Sequence, residues 1–206
     1  MAFLGSLIKI YDIEILRNAF IYMDIDSISN DINVFVIHES RNDLIALVKY
    51  LRQLKGQIGF NNLSFDSQVC QFIINNCEKW QYCSLDEILD AIFKFSQEQI
   101  NKEEVGFPTF NERSLYCKQC DLLKIHHFDN LAKVQSLKGL QCNLNWHKVQ
   151  EMPIEFDSYI NEKQLKEIID YCKNDILSTK HLYNDKSTRD AIELRKGLAK
   201  SYNLDH

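Results

Sequence analysis

The segment LIKIYDIEILRNAFIYMDIDSISNDINVFVIH, residues 7–38, contains three runs of apolar and β-branched residues separated by short polar gaps. These runs predict β-strands over Leu7–Ile13, Ala19–Ile25 and Ile32–His38. The last gap contains the turn-forming residues Ser29-Asn30-Asp31. Because short connections favour antiparallel neighbours, the segment predicts an antiparallel meander at the start of the fold.

The rest of the chain alternates helical patterns with two further strand patterns. Apolar residues at helical spacing predict helices over Asn42–Leu54, Asp66–Ile74, Leu85–Gln99, Ser136–Trp146, Asn161–Leu182 and Ser187–Ala199. Two more strands are predicted at Gln57–Phe60 and Asp121–Ile125. This order predicts an α/β fold with a mixed five-stranded sheet and helices on its faces. We expect one domain over residues 1–206, with a core over about 7–183 and a basic C-terminal helix within 187–200.

Composition limits the classes of protein to consider. The chain has 206 residues, of which 45% are hydrophobic and 26% charged, enough for a buried core. Its apolar runs are too short to span a bilayer, and its first residues lack the basic start of a signal peptide. Seven scattered cysteines favour free thiols in a reducing compartment. We therefore expect a cytoplasmic protein with no membrane partner, in the host cytoplasm if the chain is viral.

The net charge of −5 argues against an extensive nucleic-acid-binding surface. It is compatible with a small catalytic pocket in which metal ions supply the positive charge. The sequence has no Gly-x-Gly-x-x-Gly and no phosphate-loop motif, so no nucleotide cofactor is predicted.

Two motifs pair chemically active side chains on one face of an element. Asp12 and Glu14 are two residues apart in the first strand, which places both carboxylates on one face at its end. Tyr171 and Asp175 are four residues apart in the long helix and also share a face. Close carboxylates repel each other unless a cation intervenes. Taken separately, the motifs are also compatible with a solvated strand end and with an amphipathic tyrosine beside a surface acid.

A third motif follows the fourth predicted strand. It places Asn62, Phe65 and Asp66 at a strand-to-helix junction. A turn followed by an acidic residue at the start of a helix, with the phenylalanine in the core, explains the same residues.

In their order along the chain, the three motifs resemble those of the DEDD 3′–5′ exonucleases of ribonuclease H-like fold, in the branch whose third motif carries tyrosine. The family patterns are Asp-x-Glu, Asn-x-x-x-Asp and Tyr-x-x-x-Asp. The chain is most similar to the proofreading domain of phage family B DNA polymerases of the protein-primed type, over about residues 7–183. A fourth family pattern, Ser-Leu-x-x-hydrophobic, is matched by residues 136–140, SLKGL. Ile15 stands where the family often has a threonine that touches the terminal nucleotide.

The resemblance implies an enzyme that hydrolyses the terminal phosphodiester of single-stranded DNA from its 3′ end and releases nucleoside monophosphates. It implies that Asp12, Glu14, Asp66 and Asp175 are catalytic residues that bind two Mg²⁺ or Mn²⁺ ions. Tyr171 would be the fifth catalytic residue and would act through its hydroxyl, which is mostly protonated at neutral pH.

The resemblance further implies that Asn62, Phe65, Ser136 and Leu137 bind the single strand. Implied partners are the DNA 3′ end and either a polymerase domain or replication proteins. The sequence has no Asp-Thr-Asp-type polymerase motif, so both a proofreading part of a polymerase and a stand-alone nuclease are compatible with it. Candidates for the lysine that some phage members place before the third motif are Lys148 and Lys163.

Three alternatives stay open at this point. The first is a non-catalytic nucleic-acid-binding or scaffolding domain of the same fold, and the second is an exonuclease that acts on RNA. The third concerns Cys117 and Cys120, a Cys-x-x-Cys pair that could bind zinc with two of His126, His127 and Cys142. Ordinary free thiols are the favoured interpretation of that pair.

Overall fold

A computed structural model describes residues 8–103, 108–127 and 136–201 of the chain. Its strands are β1 (Ile8–Leu16), β2 (Ala19–Asp26), β3 (Ile32–His38), β4 (Arg41–Asn42), β5 (Gly56–Gly59) and β6 (Lys118–Asp121). Its helices are α1 (Leu44–Leu51), α2 (Asp66–Asn76), α3 (Leu85–Glu103), α4 (Leu122–His127), α5 (Leu137–Asn143), α6 (Glu162–Asn184) and α7 (Lys186–Ser201). Two short 3₁₀ turns lie at Lys79–Tyr82 and Glu112–Ser114. Across these ranges, no helix combines the length and the apolarity that crossing a membrane requires.

The strands form one mixed sheet in the order β4-β3-β2-β1-β5-β6. Strands β1 to β4 pair with one another in antiparallel fashion, whereas β5 runs parallel to β1 and β6 parallel to β5. Ile10 on β1 lies between Ile25 on β2 and Ile58 on β5, so β1 is bordered on both sides. The predicted α/β class and mixed sheet are confirmed. The expected five strands become six because two-residue β4 extends the antiparallel edge.

Two strands differ from their predicted bounds by three residues or more, and β2 and β5 differ by one residue. The predicted strand Asp121–Ile125 is wrong beyond its first residue: β6 ends at Asp121 and helix α4 follows. The Asp121 carboxylate accepts a hydrogen bond from the Leu123 backbone N–H at 2.9 Å, which starts a helical turn instead. Strand β1 continues past Ile13 to Leu16, so the Asp12 and Glu14 pair lies inside the strand and not at its end.

The two faces of β1 pack against different helices. Tyr11, Ile13 and Ile15 point to the face covered by α1, α2 and α3. Ile10 and Leu16 point to the other face, where α6 covers them. The alternation follows from the two-residue period of a strand.

Helix α6 is attached to the sheet at both ends. At its start, Asn18 donates to the Ile160 carbonyl at 2.9 Å and accepts from the Ile160 N–H at 2.8 Å. Near its end, the buried Lys180 donates from Nζ to the Asp26 carbonyl at 2.7 Å. Since Asn18 follows the end of β1 and Asp26 pairs with Lys9 near its beginning, α6 lies antiparallel across that strand. The side chains of α6 that face the sheet are therefore fixed over the middle of β1.

Gly59 offers a test of how tightly the turn after β5 is packed. A Cβ atom at this position would lie 2.7 Å from the Asn62 Cβ, whereas one at Gly56 would lie 3.5 Å from its nearest neighbour, the Lys118 carbonyl oxygen. We expect Gly59→Ala to lower the free energy of unfolding by about 1–3 kcal/mol, because overpacking forces the backbone to move. Gly56→Ala is the matched control and should change it by less than about 1 kcal/mol. Urea unfolding measures both, and equal effects would contradict the close approach of Gly59 and Asn62.

Candidate active site

One row of side chains on β1 combines apolar and acidic residues under α6. Ile10 and Leu16 are completely buried at its two ends. Asp12 and Glu14 lie between them and are partly exposed. The alternation of the strand thus places two carboxylates side by side in an otherwise apolar row.

The residues of β2 that lie opposite these carboxylates are apolar. Met23 lies opposite Asp12 and Ile21 lies opposite Glu14, and both side chains are completely buried. Removing charged groups from water without compensation is costly. A pair of carboxylates in this environment destabilises the folded state, which is unusual unless the pair has a function.

Helix α6 adds three chemically active residues above the pair. Tyr171, Cys172 and Asp175 are all buried, with 9%, 0% and 7% of their surfaces exposed. The Cys172 Sγ lies 3.9 Å from the Asp12 Oδ2, and the Tyr171 hydroxyl donates a hydrogen bond to the Asp175 carboxylate one turn along. The interpretation of Asp175 as a surface acid is therefore wrong.

The turn after β5 brings in the fourth carboxylate. Asp121 holds this turn by accepting hydrogen bonds from the backbone N–H groups of Asn61, at 2.9 Å, and Leu63, at 3.3 Å. Asn61 has a φ of 59°, a left-handed conformation that asparagine tolerates better than most residues. Asp66 is the first residue of α2, is 7% exposed, and lies close enough for its charge to raise the pKa of Asp12.

The four carboxylates form one electrostatic unit. Burial is the main cause that raises the pKa of Asp12, followed by repulsion from Glu14, Asp66 and Asp175. Burial also raises the pKa of Glu14, with further contributions from Asp175 and Asp66. Burial raises the pKa of Asp175 as well, although hydrogen bonds from Tyr171 and other neighbours counteract this. Such a group resists full ionisation until a cation balances its charge.

Two residues of α5 also belong to this site, although sequence reasoning did not assign them a role there. Gln141 donates from Nε2 to the Asp175 Oδ1 at 3.3 Å and to the Ser178 Oγ at 2.7 Å, while its buried Oε1 has no hydrogen-bond partner. The Lys138 Nζ lies 5.9 Å from the centre of the Tyr171 ring, and its charge lowers the pKa of Asp175. Lys138 occupies a variable position of the Ser-Leu-x-x-hydrophobic motif, and Gln141 comes directly after the motif. The motif therefore predicts no role for either residue.

The residues assigned to DNA binding have different environments. Asn62 is completely buried and donates to the Gln119 Oε1 at 2.8 Å, so its side chain does not reach the surface. Phe65 is partly buried against the core beneath α2. Ser136 is exposed and caps the N-terminus of α5, and Leu137 packs into the cluster beneath α6. Of the four, Ser136 is the only one classed as exposed.

The lysine candidates lie outside the carboxylate group. Lys148 and Lys163 are both exposed. The Lys148 backbone carbonyl accepts a hydrogen bond from Asn174 at 3.0 Å, and Lys163 belongs to the first turn of α6. Their assigned role stays a prediction.

The zinc alternative for the Cys-x-x-Cys pair is wrong. Cys117 packs on the face covered by α1, α2 and α3, where its thiol contacts Gln57. Cys120 packs on the opposite face, in the cluster that includes Ile58. Two residues separate the cysteines in the chain, and the two thiols pack on opposite faces of the sheet, so they do not come together on one ion.

A different group of side chains has the geometry of a metal site. Among the described residues, the ligand atoms of Asp12, Glu14 and Cys172 lie within 4.8 Å of one another, and they are the one set of three or more that is this close. No protein-family model matches the sequence, and no curated protein or solved structure is significantly similar to it.

Neutralising one of the carboxylates should stabilise the metal-free protein. Because burial and repulsion raise the pKa of Asp12 in the fold, the folded state loses stability as pH rises from the ordinary carboxyl pKa of about 4 through the raised value. Asp12→Asn removes this cost at neutral pH. Each kcal/mol regained should raise the melting temperature by about 2–4 °C in a domain of this size.

Thermal melts in chelator from about pH 5 to about pH 8 measure this effect, with a gain that grows with pH. Asp170→Asn is the matched control, because Asp170 is exposed on α6, and its melting temperature should stay close to that of the wild type. An Asp12→Asn protein that melts below the wild type at the upper end of this range would contradict the electrostatic account.

Proposed function

We propose that the chain is a metal-dependent 3′–5′ exonuclease that hydrolyses the terminal phosphodiester of single-stranded DNA and releases nucleoside monophosphates. The observation that supports it is the convergence of four carboxylates and a tyrosine from β1, α2 and α6 on one place. The arrangement of an antiparallel meander followed by two parallel strands beside β1 supports assignment to the ribonuclease H-like fold.

The donor set fits hard divalent ions. Asp12, Glu14, Asp66 and Asp175 offer only oxygen ligands, which suit Mg²⁺ or Mn²⁺, and two such ions would balance their charge. The buried, unpartnered Gln141 Oε1 beside Asp175 is an acceptor that a metal-bound water can satisfy. When bound, the ions would supply Lewis-acid stabilisation of charge on the phosphate and a more acidic water.

Tyr171 would act as a hydrogen-bond donor. Burial and the charge of Asp175 raise the pKa of Tyr171, so its hydroxyl keeps its proton at neutral pH. From this position the hydroxyl, with its single proton, can keep its bond to Asp175 and accept a hydrogen bond from a water, or turn from Asp175 to donate to a phosphate oxygen. A preorganised donor of this kind stabilises developing charge without reorganising during the reaction.

Lys138 would contribute positive charge at the site. Its Nζ lies near the Tyr171 ring, and its charge lowers the pKa of both Glu14 and Asp175. A lysine placed beside the carboxylates can bind a phosphate of the incoming strand as a point charge. The ion pair of Lys138 with the exposed Glu151 holds it nearby in the free protein.

The substrate would be a short single-stranded 3′ end. The exposed Ser136 hydroxyl and the partly buried Phe65 ring and Leu137 are the groups available to contact it. An acidic chain binds DNA weakly by electrostatics alone, so a basic channel on a polymerase domain or a replication protein would deliver the strand.

Removing two carboxylates should abolish cleavage. We expect Asp12→Ala with Asp66→Ala to lower the rate on a 3′-labelled single strand with Mn²⁺ by at least about 10³-fold, because loss of the ions removes several kcal/mol of stabilisation. Asp86→Ala with Asp170→Ala is the matched control, since both acids are exposed. Circular dichroism should show the fold retained in each variant.

The same assay separates the alternatives. Normal digestion by the Asp12, Asp66 double variant would overturn the proposal. A wild-type protein that binds Mn²⁺ but cuts neither DNA nor RNA would indicate a non-catalytic domain, and cleavage of RNA alone would change the substrate assignment.

The tyrosine hydroxyl should matter less than the carboxylates. We expect Tyr171→Phe to slow the single-turnover rate by roughly 10²-fold without abolishing it, since it removes one positioned donor. Tyr159→Phe is the matched control, because Tyr159 is 73% exposed. A Tyr171→Phe protein as fast as this control would show that the hydroxyl takes no part.

A further inference from the structure

We propose that Cys172 joins Asp12 and Glu14 in a binding site for Zn²⁺, which would compete with the activating ions for the same carboxylates. The binding stands on the geometry of these three residues. The inhibition that follows from it rests on the proposed exonuclease function.

The thiol lies within bonding reach of an ion held by the strand. The Cys172 Sγ is 3.9 Å from the Asp12 Oδ2 and 4.0 Å from the Asp12 backbone oxygen. A zinc ion bonds sulfur at about 2.3 Å and carboxylate oxygen at about 2.0–2.2 Å, so two ligands of one ion can lie up to roughly 4.5 Å apart. One ion can therefore contact both atoms without movement of α6.

The placement of Cys172 is fixed by packing. The residue is completely buried, and Ile176 one turn along packs in the same apolar cluster with Ile10. A buried cysteine is ordinarily inert core. Here the sulfur faces the carboxylate pair, because α6 lies across the middle of β1 and directs this position at Asp12.

A second feature points to a cation beside Asp175, whose charge also reaches Asp12 and Glu14. Gln141 is 3% exposed, its amide nitrogen contacts Asp175, and its Oε1 is buried without a hydrogen-bond partner. A buried acceptor of this kind is normally satisfied, and a water bound to an ion beside Asp175 would satisfy it.

Ligand chemistry decides which ion gains from the thiol. Carboxylates alone suit Mg²⁺ and Mn²⁺, whereas a thiolate adds affinity for softer ions such as Zn²⁺ and Cd²⁺. On binding, the Cys172 thiol releases its proton to solvent and the sulfur forms the bond to the metal. The site would thus hold Zn²⁺ more tightly than the four-carboxylate set does by itself.

Cd²⁺ is the probe, because a cadmium–thiolate bond gives an ultraviolet charge-transfer band. The reduced, metal-free chain is titrated with Cd²⁺, and Zn²⁺ is then added to displace it. We expect one equivalent to produce the band in the wild type and Cys172→Ala to lose it. Asp12→Asn should weaken Cd²⁺ binding at least about tenfold, the minimum typical of lost metal-site partners. Cys142→Ser is the matched control, because Cys142 is an exposed thiol on α5, and it should keep the band.

Cys172→Ser distinguishes loss of the sulfur from the cavity that alanine would leave, because serine has nearly the same shape as cysteine but no sulfur. It should also lose the band. A band that survives both Cys172 variants, or disappears in Cys142→Ser, would overturn the proposal.

Nuclease assays with Mn²⁺ then test the consequence. Adding Zn²⁺ should lower the cleavage rate of the wild type relative to its rate without Zn²⁺. Cys172→Ser should need at least about tenfold more Zn²⁺ for the same relative loss of rate. Absence of the band in a wild type that cuts DNA would overturn the zinc site alone. A band in a wild type that cuts nothing would overturn the nuclease proposal alone.

Discussion

Packing of α6 across β1 is the constraint on which the site depends. Four carboxylates repel one another, and left to themselves they would separate. They stay together because the apolar contacts around Ile10 and Leu16, together with the Asn18 and Lys180 attachments, hold α6 in place. Hydrophobic contacts and hydrogen bonds in the rest of the fold thus offset the electrostatic repulsion among these carboxylates. Proteins commonly tolerate such local destabilisation at reactive sites.

A hydrogen-bonded network on the opposite face of the sheet supports the turn that carries Asp66. Asn62 donates to Gln119, Gln119 donates to Gln57 at 3.2 Å, and Gln57 donates to Tyr22 at 2.8 Å. Tyr22 in turn donates to Asp24 at 2.8 Å. This chain links β2, β5 and β6 beneath the sheet and fixes Asn62 from below. Asparagine in the second motif therefore has a structural task here, the shaping of the turn.

Patterns with a strong local cause predicted most of the fold. The strands β2 and β3 and the long helix α6 are predictable because alternation and helical spacing persist over many residues in them. The switch from β6 to α4 was missed, because it depends on the Asp121 carboxylate, which also binds the turn sixty residues earlier in the chain. The extension of β1 to Leu16 was missed because pairing with Ala19, not local propensity, continues that strand.

Local patterns are sufficient to identify the residue types of the site and their spacing within each element, because a two-residue strand period and a four-residue helical period are local properties. They therefore pair Asp12 with Glu14 and Tyr171 with Asp175. Three-dimensional packing brings these pairs together, turns Cys172 towards Asp12, and adds Lys138 and Gln141 to the group. Those contacts join elements far apart in the chain, and their distances are set by how helices pack on a sheet, which no local pattern encodes.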